Sequence, residues 1–263
     1  MSRYPAMFER LASDGEAALG AFLMLGDPDL ERSARLLDAV VEAGTDMVEV
    51  GIPFSDPVAD GPAIQAAAQR ALAAGVRVDD SFELMRAFRI RHPDVPLGIL
   101  TYANITVARG LERFCEVAAR SGADSLLVAD VPSLEAAPFA QVARTAGLDW
   151  VMIAAANTPP VTLERIARLS SGYTYCVTRF GVTGTSDAPA FDHGDLLGQL
   201  AQADAPPPVF GFGISQPEQV RQAIAAGARG VIVGSALVTL AAESGIDAVR
   251  EKVRELKAAT VLG

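Results

Sequence analysis

The sequence predicts an α/β fold, a (β/α)8 barrel that occupies residues 1–263 as a single domain. Short apolar runs alternate with amphipathic helical periods along the whole chain. The runs are almost continuously hydrophobic, which is typical of strands buried on both faces of a parallel sheet. A chain of 263 residues also suits one barrel better than two small domains.

The apolar runs predict eight strands. They are residues 21–25, 47–50, 97–102, 125–129, 150–154, 173–178, 209–211 and 231–233. Strand–helix units joined by short links form parallel, right-handed connections, and eight of them close a TIM barrel.

The helices between the strands are predicted from their periodicity and their ends. Leu30, Leu37 and Val41 share one helical stripe, and Pro217 after Ser215 indicates a helix start. Ala-Gly pairs, which are typical of helix ends, occur at residues 43–44, 74–75, 146–147 and 226–227. An extra N-terminal helix is expected over residues 2–13 and a long terminal helix over residues 245–260.

Composition excludes several partners. The net charge is −10 and no basic stripe occurs, which argues against nucleic acid and anionic membranes. No apolar run approaches the about 18 residues of a membrane helix, and charges interrupt residues 1–12, so no signal peptide is expected. Cys115 and Cys176 are interpreted as small buried hydrophobes. The expected location is the cytoplasm.

Two glycine turns near the end of the chain predict a phosphate site. The seventh predicted strand ends at Gly211 and leads into Gly213, and the eighth leads into Gly234 and Ser235. Backbone N–H groups and helix N-termini at this position bind phosphate in many barrels. Gly184, after the sixth strand, is a candidate third side of the site. The alternative is tight-turn chemistry alone.

Glu49 is the one carboxylate inside an apolar strand. Alternation places Val48 and Val50 toward the helices and Glu49 toward the barrel interior. Burial should raise the pKa of this carboxyl, which suits an acid–base group. The alternative is a structural carboxylate bonded to a backbone N–H or to an arginine.

Further carboxylates follow strands. Asp60, in the loop of residues 52–61, provides a second carboxylate whose environment can differ from that of Glu49. Asp56 is interpreted as a turn or contact residue, and Asp27 and Asp130 as loop-structuring residues. The loops of residues 52–61 and 179–192 are both expected at the catalytic end of the barrel.

The chain contains few side chains for other chemistries. Its lysines, Lys252 and Lys257, both lie in the last predicted helix, which argues against a Schiff base. Its histidines, His92 and His193, do not cluster as metal ligands or as a triad base. Carboxylate acid–base catalysis on a phosphorylated substrate remains, and a substrate that breaks a C–C bond must provide its own electron sink.

The mouth of the barrel is predicted to be apolar and suited to an aromatic ring. The residues expected to line this pocket near the ends of the strands are Phe22, Leu100, Leu127, Tyr175, Phe212 and Ile232. Any one of them is equally typical of a barrel core.

These segments resemble the tryptophan synthase α subunit family along nearly the whole chain. The resemblance is carried by residues 25–28, 49–57, 59–65, 181–184, 211–215 and 234–235. Residues 49–65 form a long and specific signature. The resemblance implies retro-aldol cleavage of indole-3-glycerol phosphate to indole and D-glyceraldehyde 3-phosphate, within tryptophan biosynthesis.

The resemblance also implies roles for individual residues. Glu49 matches the acid–base residue that protonates the indole at C3 and takes the glycerol hydroxyl proton. Asp60 matches the carboxylate that stabilises positive charge at the indole N–H. Thr183 matches a loop residue that closes the site over Asp60. The phosphate cradle corresponds to Gly184, Gly213, Gly234 and Ser235.

The family works with a β subunit that carries pyridoxal phosphate, usually as an α2β2 heterotetramer. No cofactor is expected in this chain, and residues 52–61 and 102–104 match regions that face the partner. The chain departs from the common pattern at Met24, Ile105, Phe180 and residues 154–156. The alternatives left open are a stand-alone lyase that releases free indole, a ligand-sensing regulatory subunit, and another phosphate-binding barrel such as an isomerase.

Overall fold

The computed structural model describes residues 2–177, 194–211 and 213–261. The strands within these ranges are β1 (Ala18–Met24), β2 (Met47–Gly51), β3 (Leu97–Thr101), β4 (Ser125–Val128), β5 (Asp149–Trp150), β6 (Met152–Ala155), β7 (Thr174–Val177), β8 (Pro208–Gly211) and β9 (Gly230–Val233). The helices are α1 (Tyr4–Asp14), α2 (Leu30–Glu42), α3 (Pro62–Ala73), α4 (Val78–Arg91), α5 (Ala103–Ala108), α6 (Leu111–Arg120), α7 (Ala136–Thr145), α8 (Pro160–Leu169), α9 (Gly194–Gln202), α10 (Pro217–Ala225) and α11 (Ser235–Lys257).

All strand pairs are parallel, and the sheet order is β5-β4-β3-β2-β1-β9-β8-β7-β6. Because β5 and β6 are neighbours in the chain, the two ends of the sheet meet and the barrel is nearly closed. The predicted barrel is therefore confirmed.

The prediction of one strand over residues 150–154 was wrong. The chain changes partner at Val151, so that β5 pairs with β4 and β6 pairs with β7. The side chains still alternate through the break: Trp150 and Met152 face the helices, and Val151 faces the interior. The hydrophobic pattern of residues 150–154 is therefore that of one continuous strand and does not reveal that the pairing strand changes.

Alternation divides the core into two layers. Val48 and Val50 pack in the outer layer between strands and helices, whereas Glu49 between them points inward, as predicted. Helix α1 covers the end of the barrel at which the strands begin. Its buried side chains, which join the inner layer, are Tyr4, Met7, Phe8 and Leu11.

The predicted additions to the barrel are confirmed with changed bounds. The N-terminal helix is α1, and the terminal helix is the second part of α11, which is interrupted at Gly245 (φ 84°). The four Ala-Gly helix ends are also confirmed, with glycine φ values from 83° at Gly75 to 112° at Gly44. In the described ranges, no helix is long and apolar enough to cross a membrane.

Candidate active site

Glu49 lies at the centre of the barrel interior. Its residue is 2% exposed, and the Tyr173 hydroxyl donates a hydrogen bond of 2.8 Å to its Oε1. Within the described part of the chain, Oε2 has no hydrogen-bond partner. Burial raises the pKa of Glu49 from 4.5 to about 7, while the hydrogen bond from Tyr173 opposes that rise. The carboxyl can therefore both donate and accept a proton near neutrality.

The partner of Glu49 argues against the structural alternative. A carboxylate that only stabilises the fold would be held by an arginine or by backbone N–H groups. The recorded partner is instead a buried phenol, Tyr173, whose own pKa is raised well above 10 by burial and then by the charge of Glu49. Tyr173 thus remains a neutral donor across the working pH range.

Tyr173 was missed by sequence reasoning, which treated it only as a strand residue. Its ring packs edge-on against Tyr4 at 5.2 Å, and the hydroxyls of Tyr4 and Ser125 lie 2.9 Å apart. Gly98 stands between Glu49 and Ser125 in the strand register. A Cβ there would lie 2.7 Å from Ser125 Oγ and 3.0 Å from the Tyr4 hydroxyl, so glycine leaves room for both hydroxyls.

Asp60 is held over the barrel mouth by a second tyrosine that the sequence analysis also missed. Asp60 is 8% exposed, and burial raises its pKa from 3.8 to about 6, against a hydrogen bond with Tyr102. The Tyr102 hydroxyl also accepts a bond of 3.2 Å from the Ala59 N–H. Phe54 stacks on the Tyr102 ring at 5.4 Å. Gln65 Nε2 donates to the Asp60 carbonyl oxygen at 2.6 Å, so the loop is fixed from both sides.

Tyr175 lies within the electrostatic reach of both carboxylates. Burial raises its pKa well above 10, and the charges of Glu49 and then Asp60 raise it further. A Cβ on Gly211 would lie 1.9 Å from the Tyr175 hydroxyl oxygen, so the neighbouring strand accommodates this ring only with glycine at position 211. Tyr175 is therefore a buried phenol close enough to both candidate catalytic groups for each to raise its pKa.

The residues predicted to line the apolar pocket lie together wherever the structure describes them. Five of its residues are buried in one inner cluster: Phe22, Leu100, Leu127, Tyr175 and Ile232. Phe212 and Thr183 lie outside the described residues. Gly51 packs against this pocket, since a Cβ there would lie 2.8 Å from Phe22 Cζ and 2.9 Å from Met24 Cε.

The candidate phosphate residues lie at the ends of β8 and β9. Gly213 has a positive φ of 79°, and Gly234 is the N-cap of α11, whose first residue is Ser235. The neighbouring start of α10 is already capped, because Gln219 Oε1 accepts bonds from the Ser215 and Gln216 N–H groups at 2.8 and 3.0 Å. An oxyanion would therefore be bound at the α11 end. Gly184 lies outside the described residues.

The remaining carboxylates have structural partners. Asp27 makes a two-bond ion pair with Arg70, at 2.7 Å for each bond. Asp130 accepts a bond of 2.7 Å from the Ala103 N–H. The loop-structuring interpretation is thus confirmed for both. Asp56 accepts a local bond from the Ser55 hydroxyl, as expected for a turn residue.

Other candidate chemistries lie away from this site. His92 pairs with Asp38 at 2.8 Å before β3, at the far end of the barrel. Lys257, in α11, pairs with Asp46 at 2.7 Å. His193 is outside the described residues. Among the residues that the structure describes, no group of three or more His, Cys, Asp or Glu could hold a metal ion.

Most departures from the common family pattern are accommodated in the core. Met24 is buried in the inner layer, while Ile105 and Ala154 are buried in the outer layer. None of these side chains displaces Glu49 or Asp60. Phe180 lies outside the described residues.

The fold and the site together define a (β/α)8-barrel enzyme with two buried carboxyl groups of raised pKa above an apolar pocket. The family model described as tryptophan synthase alpha chain matches residues 8–261. A tryptophan synthase alpha chain from Vibrio vulnificus (strain YJ016) is 47% identical over 240 residues, covering 91% of this chain and 90% of the relative. One from Cronobacter sakazakii is 44% identical over 267 residues, 99% of each chain.

Solved structures agree with these relatives. A structure of Mycobacterium tuberculosis tryptophan synthase has a TM-score of 0.91 at 33% identity, covering 100% of this chain and 99% of that one. A chain of the tryptophan synthase complex from Pyrococcus furiosus has a TM-score of 0.82 at 36% identity, covering 92% and 98%. The chain belongs to the tryptophan synthase alpha chain family.

Proposed function

We propose that Glu49 is the acid–base group, and Asp60 the carboxylate that stabilises positive charge, with which this chain carries out the α reaction of tryptophan synthase. The protein is an enzyme of tryptophan biosynthesis, a lyase that cleaves indole-3-glycerol phosphate to indole and D-glyceraldehyde 3-phosphate. The observation that carries the residue assignment is the buried Glu49, with a pKa raised to about 7 inside an apolar pocket.

The proposed chemistry follows from the two pKa values. Protonated Glu49 donates its proton to C3 of the indole, and the ring becomes the electron sink for the C–C bond. Ionised Asp60 stabilises the positive charge that develops at the indole N–H. The Glu49 carboxylate then takes the proton of the glycerol hydroxyl as the aldehyde forms, which restores the acid.

The pH dependence follows from the same assignment. Asp60 must be ionised and Glu49 protonated before cleavage, and their pKa values are raised to about 6 and about 7. Cleavage should therefore be fastest between these two values and fall on both sides, as a bell-shaped profile.

The substrate is positioned by two further regions. The indole ring occupies the pocket formed by Phe22, Leu100, Leu127, Tyr175 and Ile232, with Phe212 and Thr183 completing it. The phosphate is bound by Gly213, Gly234 and Ser235, with Gly184 on the third side. Among the described residues, no side chain caps the start of α11 with a hydrogen bond, which supports this placement. The whole chain, residues 1–263, acts as one catalytic domain.

The catalytic end also carries a surface suited to a partner, the β subunit. One exposed apolar side chain follows each of β2, β3, β4 and β6 on this face. These are Val58 (72% exposed), Val107 (56%), Leu134 (73%) and Val161 (64%). A β subunit seated here would cover the patch together with residues 52–61 and 102–104. We expect an α2β2 heterotetramer in the cytoplasm, with pyridoxal phosphate in the β subunit only.

The decisive assay is indole release from indole-3-glycerol phosphate. Glu49→Gln should lose at least about 1,000-fold in kcat, since a positioned acid–base group contributes factors of this size. Circular dichroism should show an unchanged fold. Turnover close to that of the wild type in the variant would refute the role of Glu49.

The partner is tested with the same assay in the presence of purified β subunit. Turnover should rise on addition, and Val58→Asp together with Leu134→Asp should weaken the response because both place a charge in the apolar patch. Turnover that is high alone and unchanged on addition would instead favour the stand-alone lyase, which the family membership does not favour.

A further inference from the structure

A methionine outside the predicted pocket, Met24, is the last residue of β1. Side chains alternate along this strand, so that Phe22 and Met24 join the inner layer of the core while Leu23 joins the outer layer. Met24 is as deeply buried as the pocket residues, at 4% exposed. It is one inward position closer than Phe22 to the end of the strand at which barrels hold their active sites.

The strand register places Met24 in one row with two residues of the predicted pocket. Met24 pairs with Gly51 on β2, and Gly51 pairs with Leu100 on β3. Leu100 pairs in turn with Leu127 on β4. The side chains of Met24, Leu100 and Leu127 all belong to the inner cluster. The row therefore consists of three apolar side chains and one glycine, with Met24 at its β1 end.

The tips of Met24 and Phe22 meet in front of Gly51. A Cβ on Gly51 would lie 2.9 Å from Met24 Cε, 3.2 Å from Met24 Sδ and 2.8 Å from Phe22 Cζ. The thioether end of Met24 thus extends from β1 across the face of Gly51, on whose other side Leu100 lies. Met24 therefore contributes to the same apolar surface as Phe22 and Leu100.

The proposed mechanism brings the indole ring to this surface. Glu49 donates its proton to C3 of the indole, so the ring contacts the Glu49 carboxyl. Glu49 pairs with Phe22, one row below Met24. Two residues of a strand advance by about 6.6 Å, which is comparable with the length of two fused rings. A ring that reaches Glu49 from the mouth of the barrel therefore also contacts the row of Met24.

We propose that Met24 is a specificity-determining residue for the aromatic ring of the substrate. Its side chain closes the β1 side of the indole pocket and limits the room for a substituent on the six-membered ring. This inference rests on the proposed function, since it concerns the ring that Glu49 protonates. An apolar pocket discriminates the presence of one methylene group by about 10- to 200-fold.

The test measures the reverse reaction, the condensation of indole with D-glyceraldehyde 3-phosphate, which uses the same site. The kcat/KM is determined for indole and for the four methylindoles that carry the methyl group on the six-membered ring. Met24→Ala removes the thioether end and leaves space for a methyl group. For at least one isomer, kcat/KM relative to that of indole should rise at least about tenfold over the wild type. Because this ratio is taken within one protein, a loss of folded enzyme cancels from it.

Met85→Ala is the matched control. Met85 is a buried methionine of α4 that packs in the outer layer, so its truncation also leaves a cavity in the core but should not change the ratios. A second variant, Met24→Leu, nearly conserves the volume of the side chain and is well tolerated in cores. It withdraws the terminal methyl group from Gly51, so the same isomer should gain by a smaller factor.

The outcomes separate this inference from the proposed function. Ratios in Met24→Ala and Met24→Leu that equal those of the wild type, with turnover of indole retained, would overturn the role of Met24 alone. An equal change of the ratios in Met85→Ala would overturn it as well. A wild-type enzyme that does not condense indole would overturn the proposed function, and the inference with it.

Discussion

Replacing Glu49 with Gln should stabilise the protein at alkaline pH, because the fold resists ionisation of this carboxyl. Burial raises the pKa of Glu49 from 4.5 to about 7. The folded state therefore carries no penalty from Glu49 below pH 4.5 and loses stability as the pH rises through 7. With these two values, the lost free energy of unfolding is about 1 kcal/mol at pH 5 and about 3 kcal/mol at pH 8.

The glutamine keeps an acceptor oxygen for the Tyr173 hydroxyl but cannot ionise. The gain in stability of Glu49→Gln over the wild type should thus be about 2 kcal/mol larger at pH 8 than at pH 5. Asp60 is present in both proteins, so its own titration cancels from the difference.

Urea unfolding followed by Trp150 fluorescence measures this difference at each pH. Glu243→Gln is the control, because Glu243 is an exposed carboxylate of α11, and its effect should be the same at both pH values. An equal gain for Glu49→Gln at pH 5 and pH 8 would refute the raised pKa and with it the protonated acid in the proposed mechanism.

Three further predictions follow from the contacts around the site. Tyr173→Phe removes the hydrogen bond that opposes the rise in the pKa of Glu49, so the alkaline limb of kcat/KM against pH should move up by about one unit; an unmoved limb would contradict this. Tyr102→Phe should move the acid limb upward, because it removes the bond that opposes the rise in the pKa of Asp60, and an acid limb that stays in place would exclude Tyr102 as its partner. Gly51→Ala places a methyl 2.8 Å from Phe22 Cζ and should cost about 1–3 kcal/mol in urea unfolding, whereas Gly198→Ala, in a helix with open space around it, should be neutral or stabilising.

Part of the site was predictable because it depends on local pattern. Strand alternation alone placed Glu49 inside the barrel, since Val48 and Val50 had to face the helices. Burial of a carboxylate then implied a raised pKa, which the structure bears out. The glycine turns after β8 and β9 were likewise visible as spacing along the chain.

The partners of these groups were not predictable, because they are brought together from distant positions. Tyr173 lies 124 residues from Glu49 in the chain, and nothing in its own strand distinguishes it from a core aromatic. Tyr102, which directly follows the next strand of the sheet, β3, contacts the loop of Asp60 and is 43 residues from Ala59 in the chain. Either tyrosine becomes a candidate only when the strand register is known.

The sequence by itself determined the barrel, the inward direction of Glu49 and the catalytic end, because alternation, helical periodicity and turn chemistry are properties of neighbouring residues. Tertiary structure alone decided which tyrosine hydroxyl bonds to each carboxylate, and that the fifth predicted strand breaks at Val151, where the chain changes its pairing partner. Both depend on the pairing between strands, and the pairing leaves the hydrophobic pattern of each strand unchanged.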